Sequence, residues 1–294
     1  MINGYKELVD VELRRMRKND KISKKLLHVL LILGYFLLPA KYKAAALLYG
    51  WFREVDDVID QEKCPPNGYD IDSYIEQKEL ILKGVSTVQL KEDIMLFSAL
   101  RIFSKKKIDL SQEIKDLFCA MKTEYLNRGK FVKREDLYSN MYLQDRAALT
   151  ILAKFYSNGK KFEKLDQILF RFFTRVDSLL DLKEDLTRGF INIPLEDAIE
   201  MGIDIQTPAV EILRNHKFQE WYKREVEELI IRHARVYKIL EERRDLFLLK
   251  VILDSHKLGD VLNYLKVHPS FLFFKKTSIY INNGCLGPDT CDTH

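Results

Sequence analysis

Apolar positions along this chain recur at the three-and-four spacing of helices, and no segment alternates apolar and polar residues with period two. The pattern predicts helices over roughly 5–18, 22–37, 40–62, 70–84, 89–104, 109–127, 133–157, 161–187, 208–242 and 245–267. Pro39, Pro65, Pro66, Pro194, Pro208 and Pro269 fall between these blocks, where a fixed φ and a missing N–H end a helix; Pro288 lies near the C-terminus. Two blocks, AAALLYGWF and QILFRFFTRVDSLL, are apolar on more than one side, which places them in the middle of a bundle. The fold class that follows is all-α. With 294 residues and 47% hydrophobic content there is enough apolar surface for one domain with a deep core, over 1–280. The last stretch, 281–294, is rich in turn formers and has little to bury, so it reads as a flexible tail.

Composition removes several classes of function. The 48 basic and 44 acidic residues leave a net charge of +4 spread along the chain, which argues against a nucleic-acid partner. Cys64, Cys119, Cys285 and Cys291 form no CxxC pair and have no histidine at zinc-ligand spacing, so no disulfide framework or zinc site is expected, and a cytoplasmic setting fits. The first twenty residues carry both signs of charge, unlike a secretory signal. The run LLHVLLILGYFLLPA is shorter than the about 20 apolar residues of a membrane span, and reads as a buried core helix.

Two acidic clusters stand out against this apolar background. GWFREVDDVIDQE places Asp56, Asp57 and Asp60 beside Val55, Val58 and Ile59, while TRVDSLLDLKEDLTRG places Asp177, Asp181 and Asp185 at successive spacings of four. On a helix that spacing lines carboxylates along one stripe, where like charges repel. A single such stripe reads as a solvated face. Two of them, each flanked by core-type residues, call for a compensating cation, and hard oxygen ligands suit Mg²⁺ bridged to a diphosphate. Arg53, one turn before Asp57, and Arg188, three after Asp185, are candidate phosphate contacts; each reads equally well as half of an ordinary helical ion pair. Asp57, turned about 100° from the stripe, suits a supporting salt bridge.

With both clusters in view the chain resembles the squalene/phytoene synthase family of head-to-head isoprenyl synthases. FLLPAKYKAAALLYGWFREVDDVID is similar to that family's first signature and DLKEDLTRGFINIP to its second, in the right order, over roughly 22–270. The resemblance implies a single-domain isoprenoid-synthase bundle with a central cavity. It implies metal ligands at Asp56, Asp60, Asp181 and Asp185, with Asp177 where the family has an asparagine ligand. About two or three Mg²⁺ ions, a diphosphate contact at Arg53 and an isoprenyl diphosphate substrate of the C15 or C20 class also follow. Some family products need NADPH; no Gly-rich fingerprint occurs, and the sequence leaves NADPH use open.

The central helix departs from the family pattern. DLYSNMYLQDRAALTIL has Asn140 at a family tyrosine and Gln144, Asp145, Arg146 and Leu149 across a region of small residues; Thr174 and Leu180 replace a glutamine and an arginine. The ionising end therefore looks intact and the acceptor end rebuilt. Head-to-head condensation is the family default; cyclisation within one chain, or transfer of the prenyl group to another acceptor, are the alternatives. Tyr142 and Thr174 are candidate substrate contacts, and Tyr35, Tyr49, Phe52, Phe172 and Phe173 candidate cavity aromatics, each also a plausible core filler. A non-catalytic assembly protein is the remaining alternative, against which the survival of both Asp pairs speaks. Peripheral membrane contact suits a lipophilic product.

Overall fold

In this computed structural model, residues 39–85, 90–156 and 170–242 are described. They contain ten α-helices, one 3-10 turn at Pro66–Gly68 and no strand, only an isolated bridge between Val132 and Pro194. The all-α expectation is met. The expected helices at 5–18, 22–37 and 245–267, Tyr35, the apolar run before Pro39 and the tail at 281–294 lie outside the described residues. No helix among those described is long and apolar enough to cross a membrane.

The helices are α1 (Pro39–Ile59), α2 (Ile71–Leu82), α3 (Lys91–Lys105), α4 (Ser111–Leu126), α5 (Arg134–Tyr156), α6 (Phe172–Leu180), α7 (Leu182–Arg188), α8 (Leu195–Met201), α9 (Ala209–Arg214) and α10 (His216–Glu242). Contacts divide the chain into two compact units. Of the described residues, 39–115 and 150–156 fall in the first and 116–149 and 170–242 in the second, so the boundary runs through α4 and α5.

In the first unit α1 packs along α3. Tyr42, Ala44, Ala46, Leu47, Leu48, Trp51, Val55, Val58 and Ile59 of α1 are all buried, on more faces than one apolar stripe supplies, as its all-round apolar sequence requires. Asp70 caps α2 by accepting from Ser73 N at 2.7 Å. Fully buried Lys78 on α2 donates to Glu92 and Asp93 at the start of α3, and Tyr74 donates to the same Glu92. Burial raises the Asp93 carboxyl above its ordinary value even with Lys78 beside it.

In the second unit α10 buries Phe218, Trp221, Tyr222, Val226, Leu229, Val236 and Leu240, a three-and-four spaced stripe, and packs on α6, α8 and α9. Buried Arg175 of α6 ties the unit together, reaching Glu225 of α10 and the Asn192 carbonyl. Three expectations are corrected. The described part of the helix expected over 161–187 breaks at Asp181, which has φ −97° and ψ 5° and separates α6 from α7. The one expected over 208–242 breaks at Asn215, whose extended backbone separates α9 from α10. The short α8, entered from Pro194 and stopped by left-handed Gly202, was not foreseen. Cys64 is disulfide-bonded, contrary to the reading of the cysteine spacing, and Cys119 is a free thiol.

Candidate active site

The first acidic cluster sits where α1 ends. Asp56 and Asp57 occupy its last turn and Asp60 follows just beyond, with the Asp60 N to Asp56 O bond of 2.8 Å still holding the helical register. A helix carries partial negative charge at this end, and the last turn of α1 has no basic residue, so these carboxylates need cations from elsewhere. Arg53 supplies one: its guanidinium spans Asp56 at 2.7 Å and Asp57 at 2.9 Å. Lys63 supplies another, lying 3.1 Å from Asp57. Burial alone would lower the Arg53 pKa, but the charges of Asp56 and Asp57 outweigh it and raise the value further. Asp57 is the buried member of the trio and takes the salt-bridge role expected from its position off the stripe. Arg53, the expected phosphate contact, is engaged in the i,i+3 and i,i+4 pairs that were its alternative reading.

The second cluster bridges α6 and α7. Asp181 terminates one helix and opens the next, yet Asp181 N bonds Asp177 O and Asp185 N bonds Asp181 O, each at 2.9 Å. The i to i−4 ladder therefore survives the break, and the three aspartates keep their stripe. Asp177 is exposed, while Asp181 and Asp185 are half-buried. Asp185 is pushed up to about 8, first by burial and then by the neighbouring charges of Asp181 and Glu124; the Asn192 amide, donating to Asp185 Oδ2 at 2.9 Å, opposes this. Arg188, three residues after Asp185, is drawn to Glu184 at 2.8 Å.

The donors at both clusters are oxygen only, which suits a hard cation such as Mg²⁺. Burial and neighbouring carboxylates both raise Asp185, and the oxygen-only donors of the second cluster fit a divalent ion in their chemistry. Among the described residues no three His, Cys, Asp or Glu side chains are already gathered about one point.

A small recess in the second unit adjoins this stripe. Its polar wall includes Glu124, Asn140, Gln144, Thr174, Ser178 and Asn192, and its apolar side includes Leu137, Met141 and Phe190. Asn192 links it directly to Asp185. Two departures noted in the central helix meet partners here, Asn140 donating to the Ala120 carbonyl and Gln144 to Glu124, while Arg146 pairs with Asp116. Asp145 accepts from the backbone N–H groups of Phe173 and Thr174, each at 3.0 Å, and from the Thr174 hydroxyl at 2.6 Å. Burial raises Asp145 to about 6 against these bonds.

The other candidates are scattered in role. Tyr142 is half-buried, edge-on to Phe170 at 4.9 Å between ring centres. Thr174 lines the recess while bonded to Asp145. Phe172 is fully buried core, stacked edge-on to Phe173, whereas Tyr49 and Phe52 are half-buried on α1. Sequence reasoning missed Asn192 and Glu124 as neighbours of Asp185. Asn192 stands inside the quoted GFINIP turn, beyond the carboxylates of that signature; Glu124 lies 61 residues before Asp185, and only the fold brings it there.

No family model matches the chain, and no curated protein does. Among solved structures it is similar to the crystal structure of squalene synthase HpnC from Alicyclobacillus acidocaldarius, with a TM-score of 0.55 and 14% identity, over 88% of this chain and 95% of that one. At that identity the likeness establishes the fold: the all-helical architecture of that synthase.

Proposed function

We propose that this chain ionises an allylic isoprenyl diphosphate of the C15 or C20 class with Mg²⁺ and forms a carbon–carbon bond from the resulting cation. The single observation that carries the reading is the second stripe, where three aspartates keep their register across a helix break and burial with neighbouring carboxylates raises Asp185 to about 8. The similarity of fold to a squalene synthase supports it at the level of architecture.

On this reading Asp177, Asp181 and Asp185 would hold Mg²⁺ in the second unit, and Asp56 and Asp60 would do so in the first. Bound Mg²⁺ would stabilise the charge that develops on the departing diphosphate. Asn192 fixes the orientation of Asp185 through its 2.9 Å bond. Arg53 exchanges one of its carboxylate partners for a phosphate oxygen, keeping Asp57 neutralised through Lys63.

Head-to-head condensation of two prenyl diphosphates is the first form of this activity. The polar wall of the recess favours a second form, in which the cation is captured within its own chain or by another acceptor, because amide and carboxylate groups are poor company for a second hydrocarbon chain. Product analysis separates the two. Purified protein, Mg²⁺ and a single C10, C15 or C20 diphosphate give a dimeric hydrocarbon in the first case, and a cyclic or acceptor-linked product in the second. Absence of any product from all three substrates would point to the non-catalytic alternative.

A further inference from the structure

Helix α6 carries Asp177 and delivers the chain to Asp181, so the direction of its first turn sets where the second stripe lies. It has no cap of its own. The residue before it, Arg171, stands in the left-handed region at φ +71° and makes no side-chain cap bond. The orphan N–H groups of that first turn are instead taken by Asp145, reaching across from α5: Oδ2 accepts from Phe173 N, and Oδ1 from both Thr174 N and the Thr174 hydroxyl. Asp145 is 4% exposed, so these bonds are not shared with bulk water.

This pair explains two departures at once. Asp145 stands in the region of small residues and Thr174 replaces a glutamine, and each is the other's partner. A carboxylate from one helix, capping another one turn before a ligand, is a device for holding position. The Ser178 hydroxyl, bonded back to the Thr174 carbonyl at 2.7 Å, extends the same chain of contacts to the residue next to Asp177.

We propose that Asp145 is a positioning residue for the second aspartate stripe, acting through Thr174 and the first turn of α6 to hold Asp177 and Asp181 in the register that binds a divalent ion. The proposal rests on the reading of that stripe as a metal site. Thr174 then serves the stripe as the receiver of this cap as well as a wall of the recess.

The test compares wild type with Asp145→Ala, Asp145→Asn, Thr174→Val, the Asp145→Ala/Thr174→Val double variant, and Asp181→Ala. Mn²⁺ binding is followed by electron paramagnetic resonance with inorganic pyrophosphate present, at a temperature where every variant is folded by circular dichroism. Hydrogen exchange over 172–180 is measured on the metal-free proteins. Asp145→Ala should weaken Mn²⁺ binding by about 10–100-fold, the range for residues that orient metal ligands, and speed exchange in the first turn of α6. Asp145→Asn, which keeps an acceptor for Thr174, should recover part of both losses. The double variant should be no worse than Asp145→Ala, since the two side chains form one contact. A lower melting temperature in Asp145→Ala with unchanged Mn²⁺ affinity would overturn the proposal and leave a structural cap alone. Mn²⁺ binding untouched by Asp181→Ala, or none in wild type, would instead overturn the metal reading beneath it.

Discussion

The two acidic clusters look alike in sequence and differ in how their charge is met. At the end of α1 the carboxylates have cations built in: Arg53 lies between Asp56 and Asp57, and Lys63 closes on Asp57 from beyond the helix. Across α6 and α7 the largest charge effects on Asp185 come from Asp181, Glu124 and Glu184, all acidic, and the neutral Asn192 amide donates to it. A cluster that carries its own counter-charges is stable as it stands. One in which burial and like charge raise a carboxyl to about 8 gains more from an added cation, so on the proposed function the greater dependence on metal would belong to the second cluster.

The largest expected effect breaks this contrast at its chemical end. Asp181→Ala should lower the rate of diphosphate release by about 10²–10³-fold, the scale on which a group stabilising developing charge is felt. Asp60→Ala should also lower it; steady-state rates at saturating Mg²⁺ measure both. Next comes Arg53→Met, which takes away one of the two cations that meet buried Asp57 and should destabilise the protein by about 3 kcal/mol, seen in urea denaturation. The corresponding change at the second cluster, Arg188→Met, removes a half-exposed pair with Glu184 and should cost under about 1 kcal/mol.

A smaller effect sharpens the contrast through pH. The Asp185 carboxyl sits at about 8 in the folded chain against roughly 4 when unfolded, so the folded state holds that proton more tightly. Its contribution is intact below about pH 4, shrinks as pH rises through the interval between, and is lost above about pH 8. Asp185→Asn should therefore match wild type near pH 4 and exceed it in stability at pH 8, in denaturant midpoints measured without metal. Mg²⁺ should stabilise wild type at pH 8 by more than it stabilises the variant. Adding a single methyl group, Gly189→Ala, meets the strain of φ +85° where a Cβ would lie 3.5 Å from Arg128 Cγ, and should cost about 1 kcal/mol.

The same contrast marks what the sequence could disclose. Spacing of four put Asp177, Asp181 and Asp185 on one stripe, and the backbone bonds keep them there. The break at Asp181 was hidden because DSLLDLKED is helix-forming throughout and contains no Gly or Pro to announce it. Arg53 and Arg188 could be seen as ion-pair partners because they pair within a turn or so. Asp145 could not be seen as a cap, since its partners stand 28 and 29 residues away and only the packing of α5 against the start of α6 joins them. The buried Lys78 with Glu92 and Asp93 was hidden for the same reason, because charged residues at helix ends read as solvated until the fold encloses them. Helical period, then, disclosed the elements and the stripes, while contacts between elements decided what each carboxylate does.

The central claim is that the second aspartate stripe serves Mg²⁺-dependent ionisation of an allylic diphosphate. Release of inorganic diphosphate from C15 and C20 allylic diphosphates, followed with wild type and Asp181→Ala in Mg²⁺ and in excess chelator, tests it most directly. The account predicts release by wild type with Mg²⁺ that chelator abolishes and Asp181→Ala reduces by at least about a hundredfold. Release that persists in chelator or in the variant, or none from either substrate, would contradict it.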